Sequence, residues 1–250
     1  MKYYKTSEIA KLVGVHPNTV RLYEEWGLLQ PVARNDKGYR LYTEKHLDQM
    51  SLARIALRCE FIEGDIRKLA TSIVKTAAEG EHQKALHETY SYLDHIKGEY
   101  NKAVESLGLI NKWINGELEE YIGSYINRRE AARLLDVSID VLRNWERNGL
   151  IEIPRNSENR YRVYGSREIN RLKIIRTLRK ANYSMMAIFR MLKHIDMGNI
   201  DNLREVIDTP NPQEDIVSAA DRWISTLAET QGDVLELIEK LKEIIGKNND

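Results

Sequence analysis

The sequence predicts a mostly α-helical protein in which two winged helix-turn-helix domains, with small β wings, are each followed by a long coiled-coil helix. Three observations support this fold class: an internal repeat, a helix-turn-helix-hairpin pattern within each copy, and a 3-4 spacing of apolar residues after each copy. Only 14 glycines and 5 prolines occur among 250 residues, which disfavours a sandwich built from many tight turns.

The composition excludes several classes of protein. Hydrophobic residues make up 42% of the chain and charged residues 30%, and the mean hydropathy is −0.52. No apolar run approaches the roughly 18 residues of a membrane-spanning helix, and the first residues do not resemble a signal peptide. The single cysteine, Cys59, excludes a disulfide framework within one chain. We therefore expect a protein of the reducing cytoplasm.

The formal net charge of zero conceals alternating blocks of charge. Residues 1–70 carry a net charge of +3, residues 71–124 carry −4, residues 125–195 carry +9 and residues 196–250 carry −8. The third block holds 16 basic and 7 acidic residues. Such a block attracts a polyanion, whereas an acidic helical block repels one.

The alternation of charge follows an internal repeat. Residues 3–70 align without a gap to residues 125–192 at an offset of 122 positions, with 14 identities. Two basic units, each followed by an acidic helical stretch, predict four segments. These are a first winged domain at 1–72, a helical connector at 73–122, a second winged domain at 123–195 and a C-terminal helical region at 196–250.

Each basic unit begins with two short helices joined by a tight turn. In the first copy the turn lies at Gly14, Pro17 suits the first turn of the second helix, and Gly27 ends it. In the second copy Ser138 is the predicted cap and Gly149 the stop. Two short helices joined in this way are typical of a helix-turn-helix.

A small hairpin, or wing, follows the second helix of each copy. Alternating residues beside a polar turn predict it, with Tyr39-Arg40-Leu41-Tyr42 in the first copy and Tyr161-Arg162-Val163-Tyr164 in the second. Two further helices are predicted after each wing. Their approximate bounds are 44–58 and 62–70 in the first copy, and 166–181 and 184–194 in the second.

Two longer helices complete the prediction, at 82–121 and 213–245, the latter starting at Asn211-Pro212. Their apolar residues follow a coiled-coil spacing. In the first helix these include Leu86, Tyr90, Leu93, Tyr100, Val104 and Leu107; in the second they include Trp223, Leu227, Val234, Leu237, Leu241 and Ile244. We interpret the aromatic residues of both helices as packing residues, and a small-molecule pocket between the helices is the alternative.

The string GVHPNTVRLYEEWGLLQPVARNDKGYRLY closely resembles the MerR-type winged helix-turn-helix transcription regulators, and VSIDVLRNWERNGLIEIPRNSENRYRVY resembles them more loosely. Cys59-Glu60-Phe61-Ile62-Glu63-Gly64-Asp65-Ile66 is similar to the next helix pair of that family. The resemblance covers about 140 residues. Family members usually carry one such domain, so a tandem pair is a departure. The resemblance implies a bacterial, cytoplasmic, nucleoid-associated DNA-binding protein.

A helix fits the major groove of DNA, and an arginine of a wing can enter the minor groove. Residues of the second helix and the wing of each copy are therefore the candidates for contacting DNA. The candidates are Asn18, Thr19, Arg21, Tyr23, Tyr39 and Arg40 in the first copy and Asp140, Arg143, Asn144, Trp145, Arg160, Tyr161 and Arg162 in the second. By the resemblance, Arg21, Tyr23, Tyr39 and Arg40 lie where the family contacts DNA. Glu24, Tyr42, Glu146 and Tyr164 are interpreted as packing or tethering residues.

The two copies are expected to read different sequences. Asp140 replaces Asn18, and an acid at this position accepts from cytosine and repels phosphate. The family pairs two subunits through its long helix in antiparallel fashion. We therefore expect the two long helices of one chain to pack together and form a monomeric pseudo-dimer; a homodimer with four DNA-binding domains is the alternative.

By the resemblance, such proteins bind near promoters and bend or untwist the DNA for RNA polymerase. An architectural or recombination-accessory role remains the alternative. The sequence contains no P-loop, HExxH or GxSxG motif, so no motif in it indicates an enzyme. No cofactor is predicted, because the spacing of His82, His87 and His95 does not suit a helical metal site. A small-molecule effector stays open.

Overall fold

The computed structural model describes residues 2–58, 65–117, 124–210 and 219–249. In chain order the elements are α1 (Thr6–Leu12), α2 (Pro17–Glu25), β1 (Ala33–Arg34), β2 (Arg40–Leu41), α3 (Glu44–Ala56), α4 (Ile66–Ala78), α5 (His82–Ile114), α6 (Arg128–Leu134), α7 (Ile139–Arg147), α8 (Ser166–Lys180), α9 (Met185–Asp196), α10 (Leu203–Asp208), a 3-10 turn (Ala219–Arg222) and α11 (Trp223–Asn249). The mostly α-helical prediction is confirmed.

The internal repeat is visible in the backbone. Helices α6 and α7 start and end 122 residues after α1 and α2. The bridge between Tyr4 and Tyr42 recurs between Ile126 and Tyr164 at the same offset. Three positions of positive φ recur as well: Gly14 and Asp136, Gly27 and Gly149, and Gly38 and Arg160. The turns on either side of the second helix are therefore made by two different sequences.

The winged domains are held together by residues whose spacing predicted the helices. In the first domain Ile9, Val20, Tyr42 and Met50 share one buried cluster, so that α1, α2, the wing and α3 enclose a common core. In the second domain Leu142, Tyr164 and Ile169 are likewise buried. Burying such side chains is the main stabilising contribution in a domain of this size.

The long helices differ from the prediction at their ends. Helix α5 stops at Ile114 instead of reaching 121, because Gly116 takes φ +73 and the backbone N–H of Glu117 bonds to the carbonyl of Lys112 at 2.8 Å. Helix α11 begins at Trp223 and extends past 245 to Asn249. The predicted start at Asn211-Pro212 lies outside the described residues.

The shorter elements also deviate. Helix α3 ends at Ala56, whereas α4 continues to Ala78, eight residues beyond its predicted end. The first three residues of predicted helix 62–70, together with Cys59 and Phe61, lie outside the described residues. Helix α10 was not predicted. In the second wing a single bridge, Arg155 to Arg162, takes the place of the two-residue ladder of the first.

The apolar stripe predicted for α11 is confirmed along its length. Its buried residues are Trp223, Leu227, Val234, Leu237, Leu241 and Ile244, with Thr230 buried among them. The stripe predicted for α5 is partly wrong, because Tyr90 is 44% exposed. The buried side of α5 instead follows Ala85, Thr89, Tyr92, Leu93, Ile96, Ala103, Ser106, Leu107 and Ile110. Small and hydroxyl-bearing residues conceal this stripe in the sequence.

The chain divides into two compact units: one comprises Met1–Gly98 and Leu227–Asp250, and the other Glu99–Thr226. In the first unit Arg58 is ion-paired with Asp233 and Glu236 of α11, and Lys240 of α11 lies 3.0 Å from Asp48 of α3. The carboxyl half of α11 is thus fastened to the first winged domain.

In the second unit the carboxyl half of α5 is fastened to the second winged domain. The Tyr183 hydroxyl donates to the carbonyl of Ala103 at 3.1 Å, and the Asn182 side chain donates to the buried carboxylate of Glu99 at 2.7 Å. Burial raises the pKa of Tyr183, which keeps this hydroxyl a donor. Each unit therefore contains one winged domain and a segment of each long helix.

Candidate nucleic-acid interface

The second helix of each helix-turn-helix, α2 or α7, carries an exposed polar face. The Nδ1 atom of His16 accepts from the backbone N–H of Asn18 at 3.2 Å and so caps α2. The hydroxyl of Ser138 accepts from the N–H of Val141 at 3.2 Å and caps α7. Buried Val20 holds the opposite face of α2 against its domain. Asn18 and Asp140, in the first turns of these helices, are left exposed to solvent.

Each of these helices presents one arginine in its second turn, held by the residue three positions earlier. In α2 the Arg21 guanidinium donates to the amide oxygen of Asn18 at 2.9 Å. In α7 Arg143 is ion-paired with Asp140 at 2.8 Å. A neutral partner leaves the charge of Arg21 intact, whereas a carboxylate offsets that of Arg143. The two helices therefore present different surfaces for base recognition.

The turn of each wing is organised by an asparagine. The Asn35 side chain accepts from the backbone N–H groups of Lys37 and Tyr39, at 3.1 and 2.9 Å. Asn156 does the same in the second wing, accepting from Glu158 and Asn159 at 2.8 and 3.2 Å. Such Asx turns fix the shape of both loops.

The ungapped alignment does not hold in this turn. The N–H of Asn35 bonds to the carbonyl of Tyr39, and that of Asn156 bonds to the carbonyl of Tyr161. The second wing therefore has one more residue between its asparagine and its tyrosine. Arg34 and Arg155 become structurally equivalent, and each donates across its turn at 3.1 Å, to the carbonyls of Gly38 and Arg160.

A glutamate joins the reading helix to the wing in both domains. Glu24 accepts from Nε of Arg40 at 2.5 Å, and this bond raises the pKa of the guanidinium. Glu146 accepts from Nε of Arg162 and also from Arg128 at 3.1 Å. In this structure the two wing arginines thus fix the angle between helix and wing, and both glutamates are tethering residues.

The predicted contact residues differ in exposure. Asn18, Arg21, Tyr39, Asp140, Arg143, Asn144, Arg160 and Tyr161 are exposed, whereas Thr19, Tyr23, Arg40 and Arg162 are half-buried. Tyr39 and Tyr161 are the most exposed of them as aromatic rings, at 68% and 74%. Trp145 is 5% exposed and packs in the second domain's core. A side chain buried to this extent offers little surface to DNA.

Sequence reasoning missed four arginines that border the same surfaces: Arg34, Arg128, Arg129 and Arg155. Arg128, Arg129 and Arg155 line one cavity with predicted residues of the second domain. The repeated Arg-Asn dipeptides, Arg34-Asn35 and Arg155-Asn156, were the signal that could have located both wing turns.

Winged helix-turn-helix domains with exposed polar helices and basic wings are an arrangement that DNA-binding proteins use. The family model described as "MerR HTH family regulatory protein" matches residues 4–71 and 127–195, more than half of the chain. The chain belongs to this family and carries two such domains in tandem.

Curated relatives match over one domain's length. The chain is 42% identical over 55 residues to the HTH-type transcriptional regulator CueR of Escherichia coli O6:H1, which covers 22% of this chain and 41% of that protein. It is 40% identical over 63 residues to CueR of Yersinia pestis, covering 25% and 45%. It is 36% identical over 66 residues to ZntR of Escherichia coli K12, covering 26% and 47%.

The chain thus spans less than half the length of each of these relatives. No solved structure matches it. Among the described residues, no helix is both long and apolar enough to cross a membrane. Within the same residues, no group of three or more His, Cys, Asp or Glu side chains is placed to hold a metal ion.

Proposed function

We propose that this protein is a sequence-specific regulator that binds a promoter-proximal site through two unequal reading helices and wings, and that it bends or untwists the DNA between them. The observation that carries the proposal is the recurrence, in two different sequences, of one exposed arginine on each reading helix beside a tethered wing. A protein that only attracted phosphate would not need two such positioned helices.

The contact surface proposed for the first domain comprises Asn18, Thr19, Arg21, Tyr23, Tyr39 and Arg40. That of the second comprises Asp140, Arg143, Asn144, Arg160, Tyr161 and Arg162, and it omits Trp145 because of its burial. Arginine suits guanine or phosphate, and Asp140 can accept from cytosine. The two half-sites are therefore expected to differ in sequence.

We further propose that one chain does the work of the family's dimer. Helix α5 follows the first winged domain in sequence, yet its carboxyl half is packed in the unit of the second. Helix α11 follows the second winged domain, yet its carboxyl half is packed in the unit of the first. This exchange of helix ends is what an antiparallel pair of helices within one chain requires.

RNA polymerase is the proposed protein partner, because untwisting the spacer of a promoter realigns the promoter for the polymerase. Deforming a site of this kind costs on the order of a few kcal/mol, which contacts to phosphates can offset. Whether activation or repression results depends on the position of the site.

The decisive experiment is to incubate the purified chain with fragmented DNA from its source at moderate salt and to sequence the retained fragments. We expect an asymmetric site with two dissimilar halves, located at promoters, and a mass in solution near 29.1 kDa. A palindromic site with about twice that mass would favour a homodimer. A site beside attachment sequences would favour an architectural or recombination-accessory role, and retention without any enriched sequence would refute the proposal.

A further inference from the structure

A groove in the second domain is lined by an unusual density of positive charge. It has a volume of about 490 Å³ and lies between the start of α6, helix α7 and the wing. Its lining includes six arginines, namely Arg128, Arg129, Arg143, Arg155, Arg160 and Arg162, together with Asn127, Ile139 and Tyr161. Arginine is the side chain best suited to phosphate, because its planar fork can bind two oxygens.

The equivalent surface of the first domain carries fewer cations. Arg143, Arg155 and Arg162 have counterparts in Arg21, Arg34 and Arg40. Arg128, Arg129 and Arg160 stand where the first copy has Thr6, Ser7 and Gly38. The first copy has two cations that the second lacks: Lys5, at the position of Asn127, and exposed Lys37 in the wing turn, at the position of Asn159. The second surface thus carries six basic side chains and the first carries five.

Arg160 occupies its position at a conformational cost. Its φ is +60, in the left-handed region, and the equivalent Gly38 has φ +79. A residue with a Cβ atom is less stable in this conformation than glycine. Strain of this kind, kept where glycine would relieve it, indicates a function for the side chain. The Arg160 side chain is exposed beside the 74%-exposed Tyr161.

The six arginines of the groove differ in their partners, and Arg155 donates to the carbonyl of Arg160. Arg128 and Arg162 are bonded to Glu146, and Arg143 to Asp140, so carboxylates offset part of their charge. Arg129 and Arg160 are exposed at the rim of the groove, next to the reading helix and the wing respectively. These two supply cationic surface at positions that are uncharged in the first domain.

We infer that the second domain is the anchor of this protein on DNA: its arginine groove binds the phosphodiester backbone with more contacts than the first domain makes, and Arg129 and Arg160 contribute to the difference. The inference rests on the proposed function, since it assigns unequal shares of DNA binding to two domains that both bind DNA. The first domain then adds sequence discrimination to a complex held by the second.

The test measures the dependence of Kd on salt for the full chain, on duplexes that keep one half of the selected site and randomise the other. Arg21→Ala and Arg143→Ala assign each half to its domain. Each phosphate contact contributes about 0.9 to the slope of log K against log salt. With one additional contact, the half read by the second domain should show a slope steeper by about 0.9.

Reciprocal substitutions provide matched controls. R160G should lower the slope by about 0.9 and weaken binding roughly tenfold on the second half only, and it should melt at the same or a higher temperature because the strain is relieved. G38R should do the opposite on the first half, where a Cβ atom at Gly38 meets nothing within 4 Å. R129S and S7R form a second pair away from the strained turn, which keeps the test valid if G38R fails to fold.

Equal salt slopes for the two half-sites would contradict the inference that the second domain is the anchor, while leaving sequence-specific binding intact. An R160G effect of the same size on both half-sites would contradict it as well. If the unsubstituted chain selected no DNA sequence at all, that result would instead overturn the proposed function. The two failures are therefore distinguishable.

Discussion

Gln49 and Arg171 lie at equivalent positions of the two repeats and make the same connection with different chemistry. The Gln49 side chain accepts from the backbone N–H of Gln30 at 3.0 Å and donates to the carbonyl of Ala78 at 3.4 Å. Arg171 donates to the carbonyl of Leu150 at 2.8 Å and to the Asp196 carboxylate at 2.6 and 2.9 Å. In both domains the segment between reading helix and wing is thus tied to the end of the fourth helix.

The hydrogen bonds of Gln49 and the ion pair between Arg171 and Asp196 should respond differently to salt. Q49A leaves a buried amide and a carbonyl without a partner, so we expect the free energy of unfolding to fall by about 1–3 kcal/mol at any salt concentration. D196A breaks an ion pair whose acid is 47% exposed, so a loss of about 0.5–1 kcal/mol that fades with salt is expected. Denaturant unfolding at low and high salt measures both, with Asp201→Ala as an exposed control. A larger loss in D196A would contradict this account.

Acidification should destabilise the first domain through His46. Its Nδ1 accepts from the backbone N–H of Thr43 at 3.0 Å, and burial lowers its pKa below the ordinary 6.5. The unfolded chain therefore binds the proton more readily, and stability falls as the pH drops through 6.5 towards the folded-state pKa. H46Q, which can keep the cap, should flatten the dependence of Tm on pH between 7.5 and 5.5. His87→Gln, an exposed control, should not; an unchanged slope in H46Q would argue against this assignment.

Glu146 should control how selective the second domain is. E146Q removes the carboxylate that holds Arg128 and Arg162, so the wing loosens while the surface gains positive charge. We expect affinity for unrelated DNA to rise roughly threefold and the ratio of specific to non-specific affinity to fall about tenfold, or ~1.4 kcal/mol. E24Q frees only Arg40 and should have the smaller effect. Titration of both DNAs at one salt concentration measures the ratio, and an unchanged ratio in E146Q would rule this role out.

The helix-turn-helix elements could be predicted because glycine, proline and capping residues mark their ends. Helices α2 and α7 start at Pro17 and after Ser138, as the sequence indicated. The position of Arg160 in a glycine's backbone conformation also follows from the offset of 122 residues. The one-residue difference in wing turns was hidden, because a shorter segment before Asn156 compensates for it.

Tertiary context decided the rest. The buried stripe of α5 contains Thr89, Ala103 and Ser106, whose burial depends on a close neighbour and not on hydrophobicity. The pairing of Glu24 with Arg40 joins residues 16 positions apart, and no helical or strand periodicity relates them. Which unit each half of α5 belongs to could be seen only in the structure, because its carboxyl half contacts residues such as Tyr183 that are about 80 positions away.

Arg190 should be the residue whose loss most weakens the second unit. Its guanidinium is 8% exposed and donates to the carbonyls of Val206, Ile207 and Asp221 at 2.8, 3.0 and 3.0 Å. A lysine ammonium cannot reach three separated carbonyls from one point, so R190K should lower the free energy of unfolding by about 2–4 kcal/mol. Hydrogen exchange should accelerate in α10 and at the start of α11 but not in α1 to α4, and the exposed control Lys193→Ala should behave like wild type. Acceleration spread evenly over the chain would show that Arg190 has no local role.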